Sequence, residues 1–318
     1  MRWLRKIKLI VVLGALLELS GQLFASIADA VFPEPALEKI FVPHPKFGWT
    51  FRGTRDQFSR GMPSHVVQFN DLGLRGRATP TQGAELMLLG DSVTAGLEVP
   101  EESTFSARLG AINAGFAGYS TYQQLEIYET ELSRFRPKRL GLVICLNDLL
   151  SMEMDRELRF ATVQGQSEDH QHWSKRLAIF RMRETLLRIF DPVVKDRYYL
   201  RMASREPNET IWSDLKSAIL KLRNLHGRFF FMVLVPSRSQ IVAFARERKA
   251  FAVNQRFRLL SREEGIPLLD LLEEFDIPAR EKLFMDPVHL SADGHALTSK
   301  AIAQFLQSSL HPDRKISG

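Results

Sequence analysis

Only one cysteine, Cys145, stands in 318 residues. A lone thiol cannot close an intramolecular disulfide and leaves no cysteine-rich metal site, so cysteine usage does not identify the redox compartment. Spread-out basic charge is scarce as well. Of the formal net charge of +6, four charges come from Arg2, Arg5, Lys6 and Lys8, ahead of any acidic residue, and the remainder carries only +2. A phosphate-tracking surface is not indicated, and nucleic acid drops out as an expected partner. No internal repeat is visible. With 45% hydrophobic and 25% charged residues, the composition excludes a disordered, collagen-like or wholly membrane-embedded chain. At roughly 150 residues per domain the length allows one large domain with additions, or two small ones.

Directly after the basic cluster comes an apolar stretch, Leu9 to Ala28, with Glu18 as its one charge. Twenty helical residues at about 1.5 Å each reach roughly 30 Å, enough to span a bilayer's hydrocarbon core. Residues 1–32 therefore read as a signal-anchor helix. A cleaved signal peptide competes, with Leu9–Leu17 as its apolar region and Ala28-Asp29-Ala30 as a small-x-small cleavage site. The long gap between Leu17 and that site, containing Glu18 and Gln22, suits a signal peptidase poorly. Positive residues stay cytoplasmic, so the chain after Phe32 is expected outside the inner membrane: periplasmic if anchored, secreted if cleaved. Glu18 could pair with a helix of a membrane partner, since buried membrane charges are costly, or snorkel to the interface.

Beyond residue 84 the pattern alternates. Buried-strand runs are Leu86–Leu89, Leu140–Leu146, Phe229–Val235 and Ile266–Leu269, with Ala111–Asn113 a weaker fifth. Helical patterns fall at Ser103–Leu109, Tyr122–Arg134, Ile211–Leu225, Ala243–Glu264 and Asp293–Leu310. This predicts an α/β sandwich with a parallel sheet covered on both faces. Residues 33–84, rich in Pro, Gly and charge, read as an extended lead-in packed on the domain of residues 85–318. The stretch 150–210 exceeds what one crossover needs and reads as a helical insertion that could form a lid.

Four short blocks carry chemistry. Leu88-Leu89-Gly90-Asp91-Ser92 is a strand ending in a tight turn, which puts Ser92 at the sheet's carboxyl edge, where open α/β sheets bind ligands. Asn113-Ala114-Gly115-Phe116-Ala117-Gly118-Tyr119-Ser120-Thr121 and Leu146-Asn147-Asp148 each follow a strand and are expected to reach the same edge. Glycine allows close approach of a backbone N–H and Asn147 offers a side-chain N–H, so the two could stabilise an oxyanion. Met285-Asp286-Pro287-Val288-His289 precedes the last helix, and Asp286 and His289 could pair locally. Serine needs such a base, itself oriented by a third group. Ordinary turn chemistry would explain each block alone; Ser291 or Asp293 caps the last helix in that reading, and His295 belongs to the helix rather than the site.

Taken in this order, the four blocks resemble the SGNH (GDS-type) hydrolase superfamily of serine esterases and deacylases, across about residues 84–310. The resemblance implies a flavodoxin-like three-layer sandwich and gives each block a role. Ser92 would be the nucleophile and His289 the base, oriented by Asp286. The backbone N–H of Ser92, Gly118 and Asn147 would be the oxyanion donors. Upstream, His44-Pro45-Lys46-Phe47-Gly48-Trp49 and Asn70-Asp71-Leu72-Gly73-Leu74-Arg75 look like the lead-in of a membrane-anchored bacterial branch. Cys145 stands where many relatives have glycine and reads as a buried strand-end residue.

The implied activity is cleavage or transfer of an O-acyl group, acetyl foremost, through an acyl-serine, with no cofactor. The substrate would be an acylated small molecule or a cell-surface or exported glycan. Two other readings remain open: a non-catalytic subunit of an envelope assembly, and a lysophospholipase or thioesterase with an apolar acyl tunnel. Weaker features are His170 and His172, which lack a third metal ligand; Asn208-Glu209-Thr210, which fits a glycosylation acceptor; and Phe229-Phe230-Phe231, which reads as buried strand.

Overall fold

The lead-in is more regular than its composition suggests. It contains two antiparallel hairpins, β1 (Phe41–His44) with β2 (Gly48–Phe51) and β3 (Arg55–Phe58) with β4 (His65–Gln68). The computed structural model describes residues 18–23, 26, 41–44, 46–51, 53, 55–58, 65–76, 80–149 and 193–310. Most of the expected signal-anchor, most of the 150–210 insertion, and His170 and His172 lie outside the described residues. Of residues 1–32, 18–23 are helical. Among the described residues no helix is long and apolar enough to cross a membrane.

The five apolar runs pair into one parallel sheet: β5 (Leu86–Gly90), β6 (Ile112–Gly115), β7 (Arg139–Ile144), β8 (Phe229–Leu234) and β9 (Leu268–Asp270). Their spatial order is β6-β5-β7-β8-β9. Continuous apolar sequence is what a strand covered on both faces requires, and Met87, Leu88 and Leu89 are completely buried. The chain runs from β5 outward to β6, then crosses back over β5 to β7. This reversal opens a crevice at the carboxyl end of β5, the place where such sheets hold ligands.

Among the described residues eight α-helices accompany the sheet: α1 (Ser92–Ala95), α2 (Phe105–Arg108), α3 (Thr121–Ile127), α4 (193–204), α5 (Glu209–His226), α6 (Arg238–Glu247), α7 (Ala252–Glu264) and α8 (Ala292–Leu310). α2 packs on α8, whose Phe305 meets Phe231 of β8. α3 packs on α5, and Trp212 of α5 meets Phe257 of α7 edge to face. Right-handed crossovers put these two groups on opposite faces of the sheet.

One expected helix is two. The pattern over Ala243–Glu264 is interrupted at Arg248, which takes a left-handed conformation (φ 49°) and closes α6 with its N–H on the Phe244 carbonyl. Such a stop normally carries glycine, so the break is hidden in the sequence. The run expected over Tyr122–Arg134 is α-helical only to Ile127. It then widens into a π-turn at Tyr128–Leu132 and tightens into a 3₁₀ turn at Ser133–Phe135. Asn208, read as a glycosylation acceptor, caps α5 by accepting the N–H groups of Thr210 and Ile211.

The seat of α1 depends on two missing side chains. A Cβ at Gly115 would stand 2.2 Å from the backbone nitrogen of Ala95, and one at Gly90 would stand 2.0 Å from Thr94 Oγ1. Gly115→Ala is expected to lower stability by about 1–3 kcal/mol, because main chain cannot yield as a flexible side chain does. Thermal unfolding checks this. An unchanged Tm would mean that α1 does not rest on β6.

Candidate active site

Ser92 opens a helix of only four residues, so its position rests on the groups around it. Asp91 is almost fully buried and caps α1, its Oδ1 accepting the Val93 N–H at 2.9 Å. Its Oδ2 accepts the thiol of Cys145 at 3.0 Å. Cys145 is buried at the end of β7 as expected, yet it does more than fill space, because its hydrogen bond ties the loop after β7 to the loop after β5. Gly96 ends α1 in the left-handed conformation (φ 61°).

The base and its carboxylate come from the turn before α8. Asp286 Oδ1 accepts the N–H groups of Val288 (3.0 Å) and His289 (2.9 Å), and the Met285 N–H closes the turn on the His289 carbonyl at 2.8 Å. The His289 ring is thereby aimed at the crevice: Nδ1 lies 2.7 Å from Asp286 Oδ2 and Nε2 lies 2.9 Å from Ser92 Oγ. A carboxylate can only accept, so Nδ1 carries the ring proton and Nε2 accepts from the serine hydroxyl. Burial alone would raise the Asp286 carboxyl. The hydrogen bond from the His289 ring, the positive charge that ring takes on protonation and the two N–H groups outweigh burial and hold the carboxyl below its ordinary range. Ser291 caps α8 by accepting the Gly294 N–H.

A hydroxyl that donates to a neutral imidazole, itself oriented by a carboxylate, can become a nucleophile as its proton leaves. The structure thus brings Ser92 to the local pair His289 and Asp286, which stands far away in the chain. Gly118 occupies the third position of the turn closed by the Tyr119 N–H on the Phe116 carbonyl, with φ 80°, a conformation natural only to glycine. The Phe116 N–H bonds the Gly90 carbonyl, which fixes this turn beside Ser92. The backbone of Asn147 lies in the 3₁₀ turn Leu146–Leu149, two residues after Cys145; its side chain lies outside the described residues. Asp148 in that turn is fully buried and accepts from the Cys145 N–H, Thr121 and Gln124. Burial first, and Asp91 second, push its carboxyl well above its ordinary value.

The sequence marks the lead-in blocks that contain Trp49, Asn70 and Arg75 but not what those residues hold at this edge. The lead-in reaches it twice. The Trp49 indole donates to the Ala117 carbonyl at 3.1 Å and the Tyr119 hydroxyl donates to the Trp49 carbonyl, which braces the Gly118 turn. Asn70 folds its loop by accepting the Leu72 and Leu74 N–H groups, delivering Arg75 to donate to the carbonyls of Ala95, Gly96 and Val99. Burial lowers the Arg75 guanidinium to about 10, against the pull of Glu101, Glu98 and Glu102. Tyr199 of α4 is close enough to Cys145, Asp91 and Asp286 for their charges to join burial in pushing its phenol up. α4 itself is anchored by Asp196 to Arg238 at 2.6 Å, and the Arg238 N–H bonds the Pro287 carbonyl beside Asp286.

His295 belongs to α8, as expected, and is buried with Nδ1 accepting the Phe105 N–H. Burial, with Arg75, Arg108 and His289 adding to it, pushes its pKa from 6.5 down to about 3. Between those values the unfolded chain binds a proton that the folded protein refuses, so stability falls as pH drops through that window. His295→Gln can still accept the Phe105 N–H and is expected to flatten the acid limb of stability by about one proton. An acid unfolding curve matching that of the unaltered protein would show His295 already protonated in the fold.

Residues 88–297 match the model of the GDSL-like Lipase/Acylhydrolase family. No curated protein matches the chain. Among solved structures, the chain is similar to a lipase/acylhydrolase from Enterococcus faecalis at 14% identity, covering 71% of this chain and 96% of that one, with a TM-score of 0.42. It is also similar to a GDSL-like lipase from Bacteroides thetaiotaomicron at 12% identity, covering 70% and 88% with a TM-score of 0.39. For a two-domain esterase active on acetylated mannans the identity is 15%, the coverage 72% and 51%, and the TM-score 0.43. The family match runs from β5 into α8 and includes Ser92, Gly118, Asn147, Asp286 and His289, and on it this chain belongs to the GDSL-like lipase/acylhydrolase family.

Proposed function

We propose that this acylhydrolase works through an acyl-Ser92 intermediate on O-acyl esters, with acetylated glycans outside the cytoplasm as its substrate class. The observation that carries the reading is the hydrogen-bonded chain from Ser92 Oγ through His289 to Asp286. In the first half-reaction Ser92 Oγ bonds to the ester carbonyl carbon while its proton passes to His289 Nε2. Asp286 stabilises the imidazolium that forms. The negative carbonyl oxygen is held by the backbone N–H groups of Ser92 and Gly118 and by the side-chain N–H of Asn147. The tetrahedral intermediate collapses, the C–O bond to the alcohol breaks, and the alcohol leaves with the proton from His289. In the second half, water or a sugar hydroxyl gives a proton to His289 as its oxygen bonds to the acyl carbon; the bond from that carbon to Ser92 Oγ then breaks and His289 returns the proton to Ser92, completing hydrolysis or transfer respectively.

The location outside the cytoplasm is supported by the four basic residues that precede the apolar stretch from Leu9. The glycan reading draws support from that location and from the family's ester chemistry, by analogy.

Ser92→Ala is expected to lower turnover of a small acetyl ester by several orders of magnitude while leaving the fold intact. Asn147→Ala is expected to lower kcat by about 10²–10³ with little change in KM. Normal turnover by a folded Ser92→Ala protein would sink the serine mechanism, and an effect of Asn147→Ala on KM alone would make that residue a substrate holder instead. Protease added to intact spheroplasts should degrade the domain; protection behind a sealed inner membrane would overturn the external location.

A further inference from the structure

The His289 ring faces two carboxylates. Asp286 Oδ2 stands 2.7 Å from Nδ1, and Glu98 Oε1 stands 3.6 Å from the same nitrogen. Glu98 is the more enclosed of the two, its side chain 3% exposed against 25% for Asp286. A carboxylate buried this deeply is costly without nearby positive charge, and its attraction to a cation is weakly screened. The main chain that carries it is fixed. Gly96 starts the turn in the left-handed conformation, the Val99 N–H closes it on the Gly96 carbonyl, Arg75 holds the carbonyls of Gly96 and Val99, and a ring nitrogen of His65 meets the Leu97 carbonyl at 2.9 Å.

We propose, building on the acyl-transfer reading above, that Glu98 is a positioning residue for His289: a second negative charge beside Nδ1 that stabilises the imidazolium, and a reserve acceptor for the Nδ1 proton. Ser92 Oγ faces the other ring nitrogen. Among the titratable neighbours His295, Tyr199, Arg75 and Asp286, Arg75 carries the opposite sign and offsets part of this charge. From α8, His295 is held neutral by burial. Tyr199, reaching in from α4, stays a neutral phenol. Arg75 acts on Glu98 from the loop that follows β4. Asp286 acts in the same direction as Glu98. Two carboxylates therefore favour the protonated ring, and the ring hands its proton to the leaving alcohol after taking it from Ser92. Glu98 does not touch the reacting atoms.

The test reads His289 directly. In the full chain, the His289 imidazole is titrated by NMR and the acid limb of kcat/KM is followed alongside it. Glu98→Gln should move both to lower pH by about one unit, the scale expected when one close opposite charge is removed. Glu98→Asp should restore most of the difference. The reserve role adds a signature that mere packing does not give: Glu98→Gln should cost about tenfold more kcat/KM in an Asp286→Asn background than in the unaltered protein, because there Glu98 alone holds the Nδ1 proton. If Glu98→Gln does not fold, Glu98→Ala, which leaves no polar group to satisfy, reads the same titration. An unchanged His289 titration, or equal losses in the two backgrounds, would overturn the proposal. The NMR readout needs no turnover, so a failure of Ser92 as nucleophile and a failure of Glu98 as partner of His289 give different results.

Discussion

A buried carboxylate must be satisfied where it sits, and that requirement at Asp91 organises this protein's edge. One oxygen takes the Val93 N–H and starts α1; the other takes the Cys145 thiol from the neighbouring loop. Ser92 stands between Asp91 and Val93, the two ends of the first bond. The bare backbone of Gly90 and Gly115 then lets α1 sit down on the sheet. Without that seat, the 2.9 Å contact to His289, which arrives from the far end of the chain, would have no fixed partner.

The lead-in is part of this arrangement. Arg75 loses its hydration to bind three carbonyls behind Ser92, a placement favoured because those carbonyls and the nearby acidic residues replace water. The Trp49 indole donates to the Ala117 carbonyl and the Tyr119 hydroxyl donates to the Trp49 carbonyl, which braces the turn holding Gly118, and Phe51 stacks on Phe116 in the same turn. The lead-in thus acts on two of the four segments that meet at the crevice. A chain cut at the start of β5 would lose both supports.

Much of this was legible in the residue order. β5 and β8 are continuous apolar runs, which only strands buried on both faces require. The Gly-Asp-Ser and Asp-x-x-His blocks could be placed at one sheet edge because each follows a strand or precedes the last helix. What escaped was contact between distant segments with no local period. Glu98 sits in the loop Leu97-Glu98-Val99, which no motif marks, and Arg75 ends the lead-in block Asn70–Arg75 with no sign of what it holds. The stop at Arg248 was hidden because a left-handed residue there is not glycine. Asn208 carried two meanings in one motif, and the structure shows the capping one. The side chain of Asn147 and most of residues 1–32 lie beyond what the structure describes, so their roles rest on pattern alone.

All of these features converge on one atom, Ser92 Oγ, and covalent trapping interrogates it most directly. Full-length protein treated with a fluorophosphonate, then digested and mapped by mass spectrometry, should carry a single stoichiometric adduct on Ser92. The labelling rate should rise with pH as His289 loses its proton. A folded protein that takes up no label, or carries it on another residue, would contradict the account.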